Sequence, residues 1–171
     1  MTIIEFTADF DRADFDCGDP TLNSYIRERA GQDRRRGLNQ TYLLIDDQKL
    51  AGFYTVSPHA LAMRELPSKT AKKFPVNLLL PCYLIGRLAV DKSRQGQGLG
   101  KLLLGEALRV IALTAQKIGG YCAVVEAKND RAQAFYESYN FRRTAENSRR
   151  LFLPIAEIDP KLLTLPPLLD A

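Results

Sequence analysis

Histidine and cysteine are scarce in this sequence. Among 171 residues there is one histidine, His59, and three cysteines, Cys17, Cys82 and Cys122, with no C-x-x-C pair. So few ligands argue against a zinc site, and the odd cysteine count argues against a disulfide framework. No metal is therefore expected, and the expected location is a reducing cytoplasm. No apolar run approaches the roughly 20 residues that cross a bilayer, and the acidic, polar start does not resemble a signal peptide. His59 follows Ser57-Pro58 with no credible acid partner, so a Ser/His triad is remote and the histidine reads as structural.

What is present suits one domain with a sizeable core: 46% of residues are hydrophobic and 26% charged. The net charge of +4 is clustered, in Arg34-Arg35-Arg36, Lys72-Lys73, Arg142-Arg143 and Arg149-Arg150. Charge runs are most often solvated faces. Four basic clusters in one small domain also fit an anionic partner, whether cofactor phosphates, nucleic acid or an acidic protein.

Residues 2–7 alternate as a half-buried strand, and Asp19-Pro20-Thr21 makes a helix entrance with Leu22, Tyr25, Ile26 and Ala30 as its apolar stripe. Residues 41–45 and 51–56 read as strands joined by a turn at Asp46-Asp47-Gln48-Lys49. Residues 66–81 form a Pro- and Lys-containing connection, helical in part. A strand over 82–90 is interrupted by a bulge at Gly86-Arg87. The firmest helix covers 99–118, with Leu104, Leu108, Ile111 and Ala115 on one face and Gly119-Gly120 as its stop. A buried strand over 121–125, a helix over 129–139 and a final strand over 150–153 follow. The expected architecture is α/β, a mixed sheet flanked by helices, as a single domain over residues 1–153. Residues 154–171 are expected to be a tail packed on the domain or a partner, too rich in proline for regular structure.

Between the strand ending at Val90 and the long helix lies Gln95-Gly96-Gln97-Gly98-Leu99-Gly100-Lys101. Alternating glycines there let backbone N–H groups approach an anion, and the helix dipole favours negative charge. The plainer reading is a tight turn. A Walker A loop is excluded, because Gln95 stands where its first glycine belongs and Leu102 where Ser or Thr should follow Lys101. A dinucleotide fingerprint from Gly96 fails because residue 101 is Lys.

The hexapeptide 95–100 fits Q/R-x-x-G-x-G/A, and the chain here resembles the GNAT acyltransferase superfamily up to about Leu153. Asn129, Phe135-Tyr136 and Asn140-Phe141 match that family's second signature, with Asn140 where Gly is usual. Asn also visits the left-handed conformation that ends helices. Phe15-Asp16-Cys17-Gly18-Asp19-Pro20-Thr21-Leu22-Asn23-Ser24-Tyr25, residues 52–57 and "LIGRLAVD" resemble the TacT- and AtaT-like toxins of toxin–antitoxin modules. The resemblance implies a GNAT fold, a twisted mixed sheet whose central strands splay. It further implies acetyl-coenzyme A as cofactor, its diphosphate on Gln95, Gly96, Gln97, Gly98, Leu99, Gly100 and Lys101. Its pantetheine arm would lie on Leu88, Ala89 and Val90, with Asn129 and Tyr136 completing the site. Aminoacyl-tRNA is the implied substrate, contacted by Arg34, Arg35, Arg36, Arg87, Arg149 and Arg150. A small ribbon-helix-helix antitoxin is the implied partner, and a homodimer is left open.

Acetyl transfer to an amine needs a held cofactor, a neutral amine, a donor for the oxyanion and a proton for the leaving thiolate. On the 129–139 helix, Asn129, Gln133 and Tyr136 share one face, while Ala132, Phe135 and Tyr139 share another that reads as core. This geometry and the family match point to Tyr136 as the general acid, or as a hydrogen-bond donor to the leaving sulfur, since proton transfer from a phenol to a thiolate is uphill by about 2 kcal/mol. No strong general base is evident. An α-amino group, with pKa near 7.7–8.0, is partly neutral at pH 7, whereas lysine is almost wholly charged, so the site suits an α-amine. Two other readings are kept: a metabolic enzyme acetylating a small amine or protein N-terminus, and a non-catalytic domain that binds coenzyme A.

Overall fold

The computed structural model describes residues 1–145 and 148–164. Seven strands form one sheet: β1 (Thr2–Glu5), β2 (Gln40–Asp46), β3 (Lys49–Ala62), β4 (Leu79–Val90), β5 (Cys122–Glu126), β6 (Arg142–Arg143) and β7 (Arg150–Pro154). Their spatial order is β1-β2-β3-β4-β5-β7-β6. Every neighbouring pair is antiparallel except β4 and β5, which run parallel at the centre. The expected mixed sheet is therefore present.

Helix α4 (Leu99–Ile118) crosses from β4 to β5 and buries Leu103, Leu104, Ala107, Leu108 and Ile111 on one sheet face. Gly119, at φ 84°, ends it as expected, its N–H donating to the Ala115 carbonyl. Helix α5 (Asp130–Glu137) joins α4 on that face. The opposite face carries α1 (Pro20–Ser24) and α2 (Ala30–Arg35). Asp19 caps α1 by accepting the N–H groups of Thr21 and Leu22. A π-helical turn at Tyr25–Arg29 separates α1 from α2. Its Tyr25 and Ile26 pack with Phe15, Phe53 and Ala89 in a second core.

Some boundaries differ from the sequence reading. Strand β3 runs on through Ser57-Pro58-His59 to Ala62, and β4 starts at Leu79 rather than Cys82, because the two pair all along this length. The 66–81 connection keeps only a four-residue helix, α3 (Ser68–Ala71). Of the tail expected to lack regular structure, Lys161–Thr164 forms α6, a correction. Both prolines at 166 and 167 lie beyond that turn, while Leu162 and Leu163 pack on the core beneath α4. Residues 165–171 lie outside the described residues. No helix among the described residues is long and apolar enough to cross a membrane.

Candidate active site

The two parallel central strands stay together only briefly. Cys82–Ile85 of β4 pair with Cys122–Val125 of β5, and there the pairing stops. The register with β3 shifts at the same point: Val56 faces Ile85 and Thr55 faces Arg87, so Gly86 is the bulged residue. Beyond it, Arg87 to Val90 pair with β3 on one side only, leaving their other edge open to a slot. A cavity of about 350 Å³ fills the parting, lined by Arg87 to Val90, Glu126, Lys128 and Tyr136 on one side and by Cys17, Asp19 and Leu22 on the other.

The loop following β4 ends in a cradle. Gly96 and Gly98 have φ of 78° and 80°, and a Cβ at either would meet nothing within 4 Å. Both backbones are therefore bare, in a conformation that side chains disfavour. Gly98 is the N-cap of the 20-residue α4 and supplies no side-chain cap, so the helix's first N–H groups remain open to an anion. Gly100 differs: it is helical, and the Phe135 ring lies 3.8 Å from where a Cβ would be, an ordinary contact that a Cβ would tolerate. Leu99 is buried and roots the helix, while Lys101 is exposed beside it. The Gln95 side chain does not face the cradle; its Nε2 donates to the carbonyls of Cys17 and Val90, at 3.1 and 3.0 Å. Gln97 donates to the Ser93 carbonyl at 3.4 Å. These glutamines shape the loop and leave the binding to backbone. Bare amides at a helix N-terminus, continuous with an open strand edge, fit a diphosphate joined to an amide-bearing arm.

The F-x-C-G-x-x-x-L-N-x-Y segment builds the opposing wall. Asp16 accepts from the Gly18 N–H and the Asn23 amide and bonds Lys92 Nζ, at 2.8, 2.8 and 2.9 Å. These contacts, led by the Lys92 ammonium, hold its carboxyl down at about 2. The Asp16 N–H donates to Asp91 Oδ2, tying the wall to the cradle loop at 2.9 Å. Lys128 reaches across the mouth to Asp19 at 2.7 Å and lowers that carboxyl's pKa. The sequence marked Asp19 as a helix entrance but neither Asp19 nor Lys128 as a site residue. Their signal was the helix-capping position of Asp19 and the place of Lys128 beside Asn129.

Tyr136 is 8% exposed, packed against Phe135 and Phe141 at ring separations of 5.2 and 5.6 Å, and lines the cavity with Ala132 one turn earlier. Burial pushes its phenol up to about 12. The helix face directed at the cavity is thus Ala132–Tyr136. Asn129 stands just before the helix, Gln133 bonds Glu137 along it, and Ala132, Phe135 and Tyr139 pack against the core as expected. Asn129 is the N-cap, its Oδ1 accepting from the Ala132 N–H at 2.8 Å. Asn140 has φ 66°, the left-handed conformation anticipated for it.

The arginines fall into separate places. Arg34, Arg35 and Arg36 are exposed at the end of α2, where Arg34 lies 3.7 Å from Glu5 on β1. That edge is three strands from β4, about 14 Å at ordinary strand spacing, so the cluster is not part of the cavity. Arg149 pairs with Asp130 at 2.7 Å. Arg150 is shared by Glu65 and Glu126, which spend its charge locally and raise its pKa, Glu126 foremost. Arg149, Arg150, Glu126 and Lys128 line an open groove of about 490 Å³ that shares Gly86, Glu126 and Lys128 with the cavity. Arg87 lies in the cavity itself, its guanidinium 3.6 Å above the Tyr25 ring. His59 is on β3 opposite Cys82, away from all of these groups.

Comparison with known proteins follows this geometry. Residues 37–143 match a family described as an acetyltransferase (GNAT) domain. A tRNA-acetylating toxin of Mycobacterium tuberculosis is 32% identical over 143 residues, covering 84% of this chain and 85% of that protein. The structure of AtaT complexed with acetyl-methionyl-tRNAfMet superposes with a TM-score of 0.85 at 33% identity, over 96% of this chain and 99% of that one. A tyrosine-to-phenylalanine mutant of AtaT, bound to the C-terminus of the antitoxin AtaR and acetyl-CoA, gives 0.79 at 30% identity, over 96% and 98%.

Proposed function

This chain belongs to the GNAT acetyltransferase family, and on that premise we propose that it is a toxin acetylating the α-amino group of aminoacyl-tRNA from acetyl-coenzyme A. The observation that carries the reading is continuity. The cavity at Tyr136 shares Gly86, Glu126 and Lys128 with an open groove that runs on past Arg149 and Arg150, so an acceptor can extend from its reacting end out along the surface. A small free amine would need no such track. The relatives named tRNA-acetylating toxin and AtaT support the same substrate class.

Bound acetyl-coenzyme A supplies an acetyl group activated as a thioester. The amides of Gly96, Gly98 and the first turn of α4 would hold its diphosphate, with Lys101 adding charge. The open edge of Leu88, Ala89 and Val90 would take the arm as an added strand, with N–H groups there available to the thioester carbonyl. Tyr136, buried and protonated at neutral pH, donates its phenol proton or a hydrogen bond to the leaving sulfur. No strong base is required to start, because an α-amino group is already partly neutral near pH 7, and the proton its nitrogen sheds on forming the amide passes to solvent and balances the one given to the sulfur. The partner is an antitoxin, and we take it to be a small ribbon-helix-helix protein whose acidic segment covers the slot.

Labelled acetyl-coenzyme A incubated with charged and uncharged tRNA tests the reading. Label should appear only in charged tRNA and leave with the amino acid on mild alkaline deacylation. Label on uncharged tRNA, or on neither, rejects it.

A further inference from the structure

Strand alternation divides the cavity between two groups that face one another. Leu88 and Val90 point to the α4 face, where they pack with Leu103 and the Tyr136 core. Ala89 points to the other face, among Phe15, Tyr25 and Phe53, and Arg87 two residues earlier shares that direction. An acceptor entering the cavity therefore has the Tyr136 phenol on one side and the Arg87 guanidinium on the other.

Arg87 is held in an unusual way. Its guanidinium lies 3.6 Å over the Tyr25 ring, and Tyr25 stacks in turn on Phe53 at 6.2 Å. Tyr25 is 3% exposed, opens the π-helical turn and bonds Asn39 Oδ1 at 3.2 Å, so the platform is fixed. Among the described residues no carboxylate pairs with Arg87, whereas the other cation of the cavity, Lys128, is taken by Asp19. A half-buried guanidinium seated over an aromatic ring has little entropy left to lose and offers its N–H edge to a ligand. That edge matches two oxygens of a phosphate.

We propose that Arg87 binds the phosphodiester immediately 5′ of the aminoacylated nucleotide and so sets how far the amine reaches toward Tyr136. The assignment rests on the aminoacyl-tRNA reading above. It gives Arg87 a role apart from Gly96 and Gly98, whose anion belongs to the donor. It also separates Arg87 from Arg149 and Arg150, which are matched by acids.

Two acceptors distinguish this role: total aminoacylated tRNA, and the same pool trimmed by pancreatic ribonuclease to aminoacyl-adenosine, which lacks that phosphate. Arg87→Ala should raise KM for intact aminoacyl-tRNA about 10- to 100-fold and lower the slope of log affinity against log salt by about one. The trimmed acceptor should lose less than about twofold relative to wild type. Arg87→Lys keeps the charge but loses the guanidinium over the ring, and should fall between wild type and Arg87→Ala; its melting curve checks that folding is intact. Equal losses on both acceptors, or an unchanged salt slope, overturn the assignment while leaving the substrate class in place. No transfer by the wild-type protein to intact aminoacyl-tRNA overturns the substrate reading and the assignment with it.

Discussion

Tyr136 combines two properties that pull in opposite directions. Burial among Phe135 and Phe141 fixes where its hydroxyl points but holds its proton more tightly, near 12. The same dry surroundings penalise a thiolate, so what counts is the difference between the two acids, and both are shifted upward. Tyr136→Phe should lower kcat by about 10²- to 10³-fold while acetyl-coenzyme A binding, measured by titration, stays within about threefold. Equal loss in binding would make the tyrosine a packing residue. The pH profile follows with a definite sign. Activity on an α-amine should rise through about pH 8 as the amine loses its proton and then stay level, because Tyr136 remains protonated until about 12. A fall of kcat/KM between pH 8 and 10 would point to a different acid.

At the scale of elements, the site is the space left where β4 and β5 separate and where α4 begins. Gly98 must adopt φ 80° at that junction, whereas Gly105 lies within α4 with its nearest side-chain neighbour, Leu162, at 3.6 Å from a built Cβ. Gly98→Ala should destabilise the fold by about 1–2 kcal/mol and weaken acetyl-coenzyme A binding at least tenfold. Gly105→Ala should stabilise by about 0.5–1 kcal/mol and leave binding alone. Urea denaturation and ligand titration on the pair check both. Much of this was legible beforehand, because glycine spacing and helical periodicity are local signals: residues 99–118, the stop at Gly119 and the bulge at Gly86 follow from them. The length of β3 was not legible, since Pro58 and His59 look like breakers until the partner strand β4 is known. The side-chain engagement of Gln95 with Cys17 and Val90 was hidden for the same reason: its partners are 78 and 5 residues away. Tyr136 could be named from its motif, but its burial against Phe141, which lies beyond the end of α5, depends on the folded chain.

Across the whole molecule, the N-terminal wall and the cofactor loop are joined through Asp16, Asp91 and Lys92. Asp16 is held at about 2 against an ordinary 3.8, so its ion pair is complete above pH 3.8 and lost as pH falls from there toward 2. The melting-temperature deficit of Asp16→Asn relative to wild type should therefore be constant from pH 8 to about 5, shrink as pH falls through 2 and vanish only below it. A deficit that persists in acid would mean that Asp16 acts through shape and not charge. The central claim is that backbone amides at Gly96 and Gly98 grip a diphosphate while the thioester it carries lies against Tyr136. A crystal structure of the protein with acetyl-coenzyme A tests it directly. The account predicts diphosphate oxygens on those amides and the sulfur within about 3.5 Å of the Tyr136 hydroxyl; a diphosphate seated elsewhere, or a sulfur well beyond the phenol's reach, would contradict it.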